Sequence, residues 1–163
     1  MGKLDPWILE FKELIDLSVT LFEGHLKSGE RIAVVLLDNC VEFMYKAFLR
    51  VKKRVVGTGK KHTITHDDWE TKVSRRFDEL AKAVKENSKL ADDLIEESKH
   101  YHLIRNNLYH TDTPTKPVDG VFQEQLKLVL KILETLYGTK HTPASKTILE
   151  MKPPTLVPKP ISL

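Results

Sequence analysis

Apolar residues recur along most of this chain at spacings of three and four, the spacing that gathers them on one face of an α-helix. The first such stretch opens at Asp5-Pro6, an N-cap residue followed by a proline suited to the first helical position. Its apolar stripe reads Trp7, Phe11, Leu14, Ser18, Leu21 and Phe22, and the pattern predicts an end near Ser28-Gly29. A second helix follows, to about Lys52. Ile32, Val35, Leu36, Val41, Phe43, Met44, Ala47, Phe48 and Val51 occupy much of its circumference, which predicts a helix covered by several neighbours.

A loop over residues 53–64 contains Gly57 and Gly59. Thr65 and Asp68 then form a capping-box pattern ahead of a third helix bearing Trp69, Val73, Phe77, Leu80 and Val84. Asn87-Ser88 breaks and recaps the chain. The fourth helix runs to about His110, with Leu90, Leu94, Tyr101, Ile104 and Leu108 expected to face inward. Thr111-Asp112-Thr113-Pro114-Thr115-Lys116-Pro117 interrupts it. The fifth carries Phe122, Leu126, Val129, Leu133 and Leu136 and stops at Gly138, a residue suited to the position just past a helix end.

No segment reads as a strand and no internal repeat is visible. The expected fold is therefore all-α: an antiparallel bundle of four to five helices over residues 1–138. Beyond it, Pro143, Pro153, Pro154, Pro158 and Pro160 predict an extended, proline-rich tail or linker over residues 139–163. Within that tail, Ile148-Leu149-Glu150-Met151 is a short segment able to dock on the bundle or on a partner.

Composition narrows the class. With 163 residues, 40% hydrophobic and 30% charged, the chain fits one compact domain and not a disordered one. No run has the length of a membrane span, and the first residues lack the apolar core of a signal peptide. The single cysteine, Cys40, has no partner for an internal disulfide and reads as a buried small hydrophobe. A cytoplasmic protein without membrane contact is expected. The net charge of +3 is too mild to imply nucleic-acid binding, so that question turns on where the charges sit.

The unusual placement is on the fourth helix, in Ser98-Lys99-His100-Tyr101-His102-Leu103-Ile104-Arg105-Asn106-Asn107-Leu108-Tyr109-His110. On an ideal helical wheel His102, Arg105, Asn106, Tyr109 and His110 share one arc, with Arg105 beside the apolar stripe. Solvent-facing arcs are ordinarily Lys and Glu. This set suits a phosphodiester instead. An arginine fork matches phosphate oxygens, and a histidine can give or take a proton near neutrality. The helix dipole favours a charged His110 in the last turn, which suits a general acid, and Asn106 could orient it or contact the phosphate. The plainer alternative is that Arg and His near a helix end only cap carbonyls.

Arg105-Asn106-Asn107-Leu108-Tyr109-His110 resembles the R-N-x-x-x-H form of the motif of HEPN domains, helical bundles found in prokaryotic toxins, phage-defence systems and some eukaryotic ribonucleases. The apolar second helix with its embedded polar positions is similar to that family's, and the resemblance follows helix order over roughly residues 5–138. It implies metal-independent RNA cleavage without cofactor. The 2′-hydroxyl attacks the adjacent phosphate, leaving a 2′,3′-cyclic phosphate and a 5′-hydroxyl. Under it His110 is the acid/base group, Arg105 stabilises the charged phosphorane and Asn106 assists. His102 and Tyr109 support the arc.

The resemblance also implies a polar residue from the second helix near the site. Asn39, Glu42 and Lys46 share one face there, and any of them could fill the role, unless Glu42 and Lys46 simply pair with each other. An antitoxin or other regulatory protein is a partner of such enzymes. Yet Asp112 stands where HEPN toxins paired with a nucleotidyltransferase antitoxin have a tyrosine, which argues against that mode of control. Dimerisation has a physical argument of its own. Transesterification gains from an acid and a base while the motif offers one histidine per chain. Arg105 and His110 also diverge by about 140° on an ideal helix. A two-fold axis through the motif would unite two copies of each in one cleft.

Between Phe43 and His66 the chain has no acidic residue, whereas Lys46, Arg50, Lys52, Lys53, Arg54, Lys60 and Lys61 are basic. Lys72, Arg75 and Arg76 could extend this set, which would track an RNA backbone or form a solvated loop. His62 and His66 lie four apart beside Asp67 and Asp68, but with no paired cysteines they do not predict a metal site. His100 and His102 fare slightly better as metal ligands, only because His102 faces the motif arc. The leading expectation is a homodimeric endoribonuclease of the toxin or phage-defence kind. The alternatives are a non-catalytic HEPN-like module binding RNA, nucleotide or protein, and a helical interaction domain that presents its tail.

Overall fold

The computed structural model describes residues 6–24, 26–55, 76–110, 117 and 119–143; for residues 51–55 and 110 it describes the backbone alone. Among these residues the chain is all-α, with five helices and no strand: α1 (Pro6–Glu23), α2 (Gly29–Val55), α3 (Phe77–Asn87), α4 (Asp92–His110) and α5 (Val121–Tyr137). The Thr65–Asp68 capping pattern, Trp69, Val73, the breaker over residues 111–116, and Ile148, Leu149 and Met151 of the tail lie outside the described residues.

The helix α2 is the central element, in contact with all four others. That position follows from its sequence. Ala33, Val34, Leu37, Cys40, Val41, Met44, Tyr45, Ala47 and Leu49 are all buried, more than one face of a helix can supply. Among the described residues no helix is long and apolar enough to cross a membrane.

Helix α1 ends at Glu23 rather than at Ser28, and a tight turn through Gly24 hands the chain to α2. A Cβ on Gly29 would collide with the carbonyl oxygen of Leu21, so the close approach of the two helix ends depends on glycine there. The buried stripe of α1 keeps Phe11 and Ser18 of the expected one and adds Ile8, Ile15 and Val19, while Leu14, Leu21 and Phe22 pack partly buried against the core. Trp7 lies at the margin, its ring edge-on to Phe43 at 5.4 Å between centroids.

The third helix was expected to run unbroken from Trp69 through Val84. Arg76 is extended (φ −127°, ψ 120°), so α3 begins at Phe77. Helix α5 ends where glycine permits: Gly138 is left-handed (φ 63°), and its N–H closes on the Glu134 carbonyl at 2.8 Å. The chain after it stays on the bundle, with Pro143 buried and His141 Nε2 2.9 Å from Asp16 Oδ1.

Candidate functional site at the α2–α4 seam

Three contacts fix the register of α2 against α4. Arg31 donates to the Leu108 carbonyl, Asp38 meets His102, and the Tyr45 hydroxyl donates to Ser98 Oγ at 3.0 Å. Residue numbers rise on one helix as they fall on the other, so the pair is antiparallel. The inward face of α4 keeps the expected residues and adds two. Leu108 is buried, Leu94, Tyr101 and Ile104 pack partly buried against the core, and Leu90 is buried just ahead of the helix; Ile95 and Ser98, not expected inward, are fully buried. His102 and Arg105 flank this face and lie partly buried in the seam.

Asp38 is the centre of the seam. Its side chain is 1% exposed, with Oδ2 3.0 Å from His102 Nδ1 and 3.6 Å from Arg105 Nε. A carboxylate only accepts, so Nδ1 carries the hydrogen and neutral His102 has its lone pair on Nε2. Phe77, the first residue of α3, stacks on the imidazole at 4.2 Å and 8° between planes. Tyr45 stacks on Phe77 in turn, at 5.9 Å between centroids. An aromatic ring against its face and a buried carboxylate at Nδ1 therefore hold the imidazole in one orientation.

Arg105 is held on several sides. Its guanidinium donates to Asn39 Oδ1 at 3.2 Å and to Asn106 Oδ1 at 2.9 Å, and lies 5.0 Å from the centroid of the Tyr109 ring. Its Nε is buried without a hydrogen bond, facing Asp38 by charge at a distance too long to be one. Of the polar candidates on α2, Asn39 meets Arg105, whereas Glu42 and Lys46 pair with each other at 2.5 Å. Tyr109 and Leu103 are exposed along the outer side of α4. His110 is the last residue of α4, and its side chain lies outside the described residues. So do the side chains of Lys52, Lys53 and Arg54, and all of Lys60, Lys61, His62 and His66.

Asp38, Phe77, Ser98 and Arg31 belong to this arrangement and were not singled out from the sequence. Asp38 had a usable signal: between Arg31 and Glu42 it is the one charged residue, in a run apolar but for its neighbour Asn39. A lone carboxylate in a helix covered on most sides needs a partner, because an unpaired buried charge is costly. Phe77 gave no signal beyond an ordinary core position. A further consequence of the seam is that one carboxylate oxygen each of Asp38 and Glu42 and a ring nitrogen of His102 lie within 4.8 Å of one another.

Comparison of the chain with protein-family models, with curated proteins and with solved structures gives no match.

Proposed function

We propose that the chain is a metal-independent endoribonuclease whose chemistry is carried at the α2–α4 seam. The observation that supports this most is the Asp38–His102 pair beside Arg105. A buried carboxylate 3.0 Å from Nδ1 leaves Nε2 of a partly exposed imidazole as a proton acceptor, next to a fixed guanidinium. In this reading His102 Nε2 takes the proton of the ribose 2′-hydroxyl as its oxygen attacks the phosphorus. Arg105 stabilises the phosphorane charge, held by Asn39 and Asn106, and His110 at the end of α4 in a second copy returns a proton to the departing 5′-oxygen. Arg31 is a positioning residue, since it ties the last turn of α4 to α2 through the Leu108 carbonyl.

The homodimer remains part of the proposal. Leu103, Tyr109 and Ile32 put exposed apolar surface along the seam helices, suited to a second copy that would add its own Arg105 and His110. A toxin or phage-defence role rests on the resemblance of the Arg105–His110 motif alone.

The test is incubation of the purified protein with total RNA in EDTA, beside His110→Ala, His102→Gln and Arg105→Ala, with product ends read for a cyclic phosphate. Cleavage in wild type that is lost in the variants supports the reading, provided each variant keeps its helical circular dichroism. Unchanged cleavage in all three overturns it.

A second reading, a non-catalytic module of the same fold, is favoured by the internal contacts of Arg105. Its contacts to Asp38, Asn39, Asn106 and Tyr109 all lie inside the chain and suit a structural strut. RNA binding with no product over long incubation selects it.

A further inference from the structure

We infer that Asp38, Glu42 and His102 form a site for a divalent transition-metal ion of the zinc type, and that occupying it removes His102 as a base. The consequence for His102 rests on the ribonuclease reading; the site itself does not. Asp38 and Glu42 are one helical turn apart on α2, and His102 reaches them across the seam from α4. Their donor atoms already lie within 4.8 Å of one another. Tetrahedral zinc, with bonds of about 2.0–2.2 Å, wants its ligand atoms about 3.4 Å apart. His102 Nδ1 and Asp38 Oδ2 stand at 3.0 Å. The remaining adjustment falls mainly on Glu42, whose side chain is part-exposed and long enough to swing.

Charge balance favours the exchange. At present Glu42 is neutralised by Lys46, a flexible cation with a part-exposed side chain, which can move into solvent when a metal takes its place. Arg105 can stay, because Asn39, Asn106 and the Tyr109 ring hold it independently of Asp38. Two carboxylates and one imidazole from the protein leave a fourth position open to water, and this oxygen–nitrogen donor set suits zinc better than calcium or magnesium.

Binding also decides the tautomer of His102. With no metal, Nδ1–H points at Asp38 and Nε2 holds the lone pair. A metal on Nδ1 requires that nitrogen to be unprotonated, so the ring hydrogen moves through solvent to Nε2. The atom available as a base in the metal-free chain then carries a hydrogen.

The experiment is zinc titration of the full chain by calorimetry, with cobalt(II) absorption as a second probe, in wild type, Glu42→Gln, His102→Gln and Lys46→Met. One equivalent is expected in wild type, weakened at least about tenfold by Glu42→Gln or His102→Gln. Lys46→Met should bind more tightly, because it frees Glu42 without removing a ligand, and no unfolding artefact mimics that sign. Imidazole ¹⁵N spectra should show the His102 hydrogen moving from Nδ1 to Nε2 on titration. No binding, or binding indifferent to all three substitutions, overturns the site; an unchanged tautomer overturns the switch. Neither readout requires RNA cleavage, so this inference and the ribonuclease reading fail separately.

Discussion

Asp38 Oδ2 lies 3.0 Å from His102 Nδ1, a contact between residues far apart in sequence whose carboxylate is almost wholly withdrawn from water. The same oxygen is the nearest counter-charge to Arg105 Nε, at 3.6 Å. One buried carboxylate thus orients an imidazole and anchors a guanidinium, and substitutions there separate chemistry from stability.

Asp38→Asn keeps the shape but removes the charge. On the ribonuclease proposal, RNA cleavage should fall by about 10²–10⁴-fold, the range for losing an oriented general base, with the helical spectrum retained. Asp38→Ala should in addition lower stability by about 1–3 kcal/mol, since it leaves His102 and the buried Arg105 Nε without their partner. Urea unfolding followed by circular dichroism gives the second number. Equal stability of Asp38→Ala and wild type would remove Asp38 from the centre of the seam.

Gly29→Ala tests the α1–α2 turn. Alanine is the better helix former, so propensity alone predicts stabilisation. The collision of its Cβ with the Leu21 carbonyl predicts the reverse, a loss of about 1–3 kcal/mol, because a backbone atom cannot step aside as a side chain can. The sign of the shift in thermal midpoint decides between them.

Tyr45 makes stability depend on alkaline pH. Burial pushes its phenol up to about 12, against an ordinary value near 10 in the unfolded chain. Its contribution is therefore complete below about pH 10 and is lost as pH rises through the folded value, about 2–3 kcal/mol in all. Burial, with Glu124 and Glu97 nearby, raises Tyr101 in the same direction. Tyr45→Phe gives up the bond to Ser98, costing about 1 kcal/mol at pH 7. It should also show a shallower decline between pH 10 and 12 in denaturant titrations.

Cys40 should be inert while the protein is folded. Its thiol is buried against the Phe11 carbonyl, and desolvation pushes its pKa up to about 12, leaving almost no thiolate at pH 8. Iodoacetamide labelling followed by mass spectrometry should find it unmodified in buffer and fully modified in denaturant. Rapid labelling in buffer would contradict the packing of α1 on α2.

The helices were legible because their information is local. Gly138 at the end of α5 is read from residue type and stands in the structure as the pattern predicts; α2 is covered by several neighbours as expected, although Ile32 is exposed and Val35, Leu36, Phe43 and Phe48 are only partly buried. Cys40 was legible for the same reason. Boundaries were less so: α1 stops at Glu23 and α3 starts at Phe77, because a turn closed by Gly24 and an extended Arg76 override the periodicity around them.

The candidate site was half legible. Arg105, Asn106, His102 and Tyr109 could be placed on one arc from their numbers alone, and Asn39 was among the residues expected to meet them. What spacing cannot state is which way that arc turns. A helical wheel has no fixed outside until a neighbour packs on it, so His102 could be read as facing solvent when it faces α2.

The sequence by itself determined that this chain forms amphipathic helices, which one is covered by several neighbours, and that His102, Arg105, Asn106 and Tyr109 lie close together on the fourth of them. The tertiary structure alone decided that Asp38, not Glu42, receives His102, that Asn39 receives Arg105, and that Phe77 backs the imidazole. Helix formation depends on residues within a turn or two of each other. The seam depends on the register of two antiparallel helices, which is set jointly by every side chain packed between them.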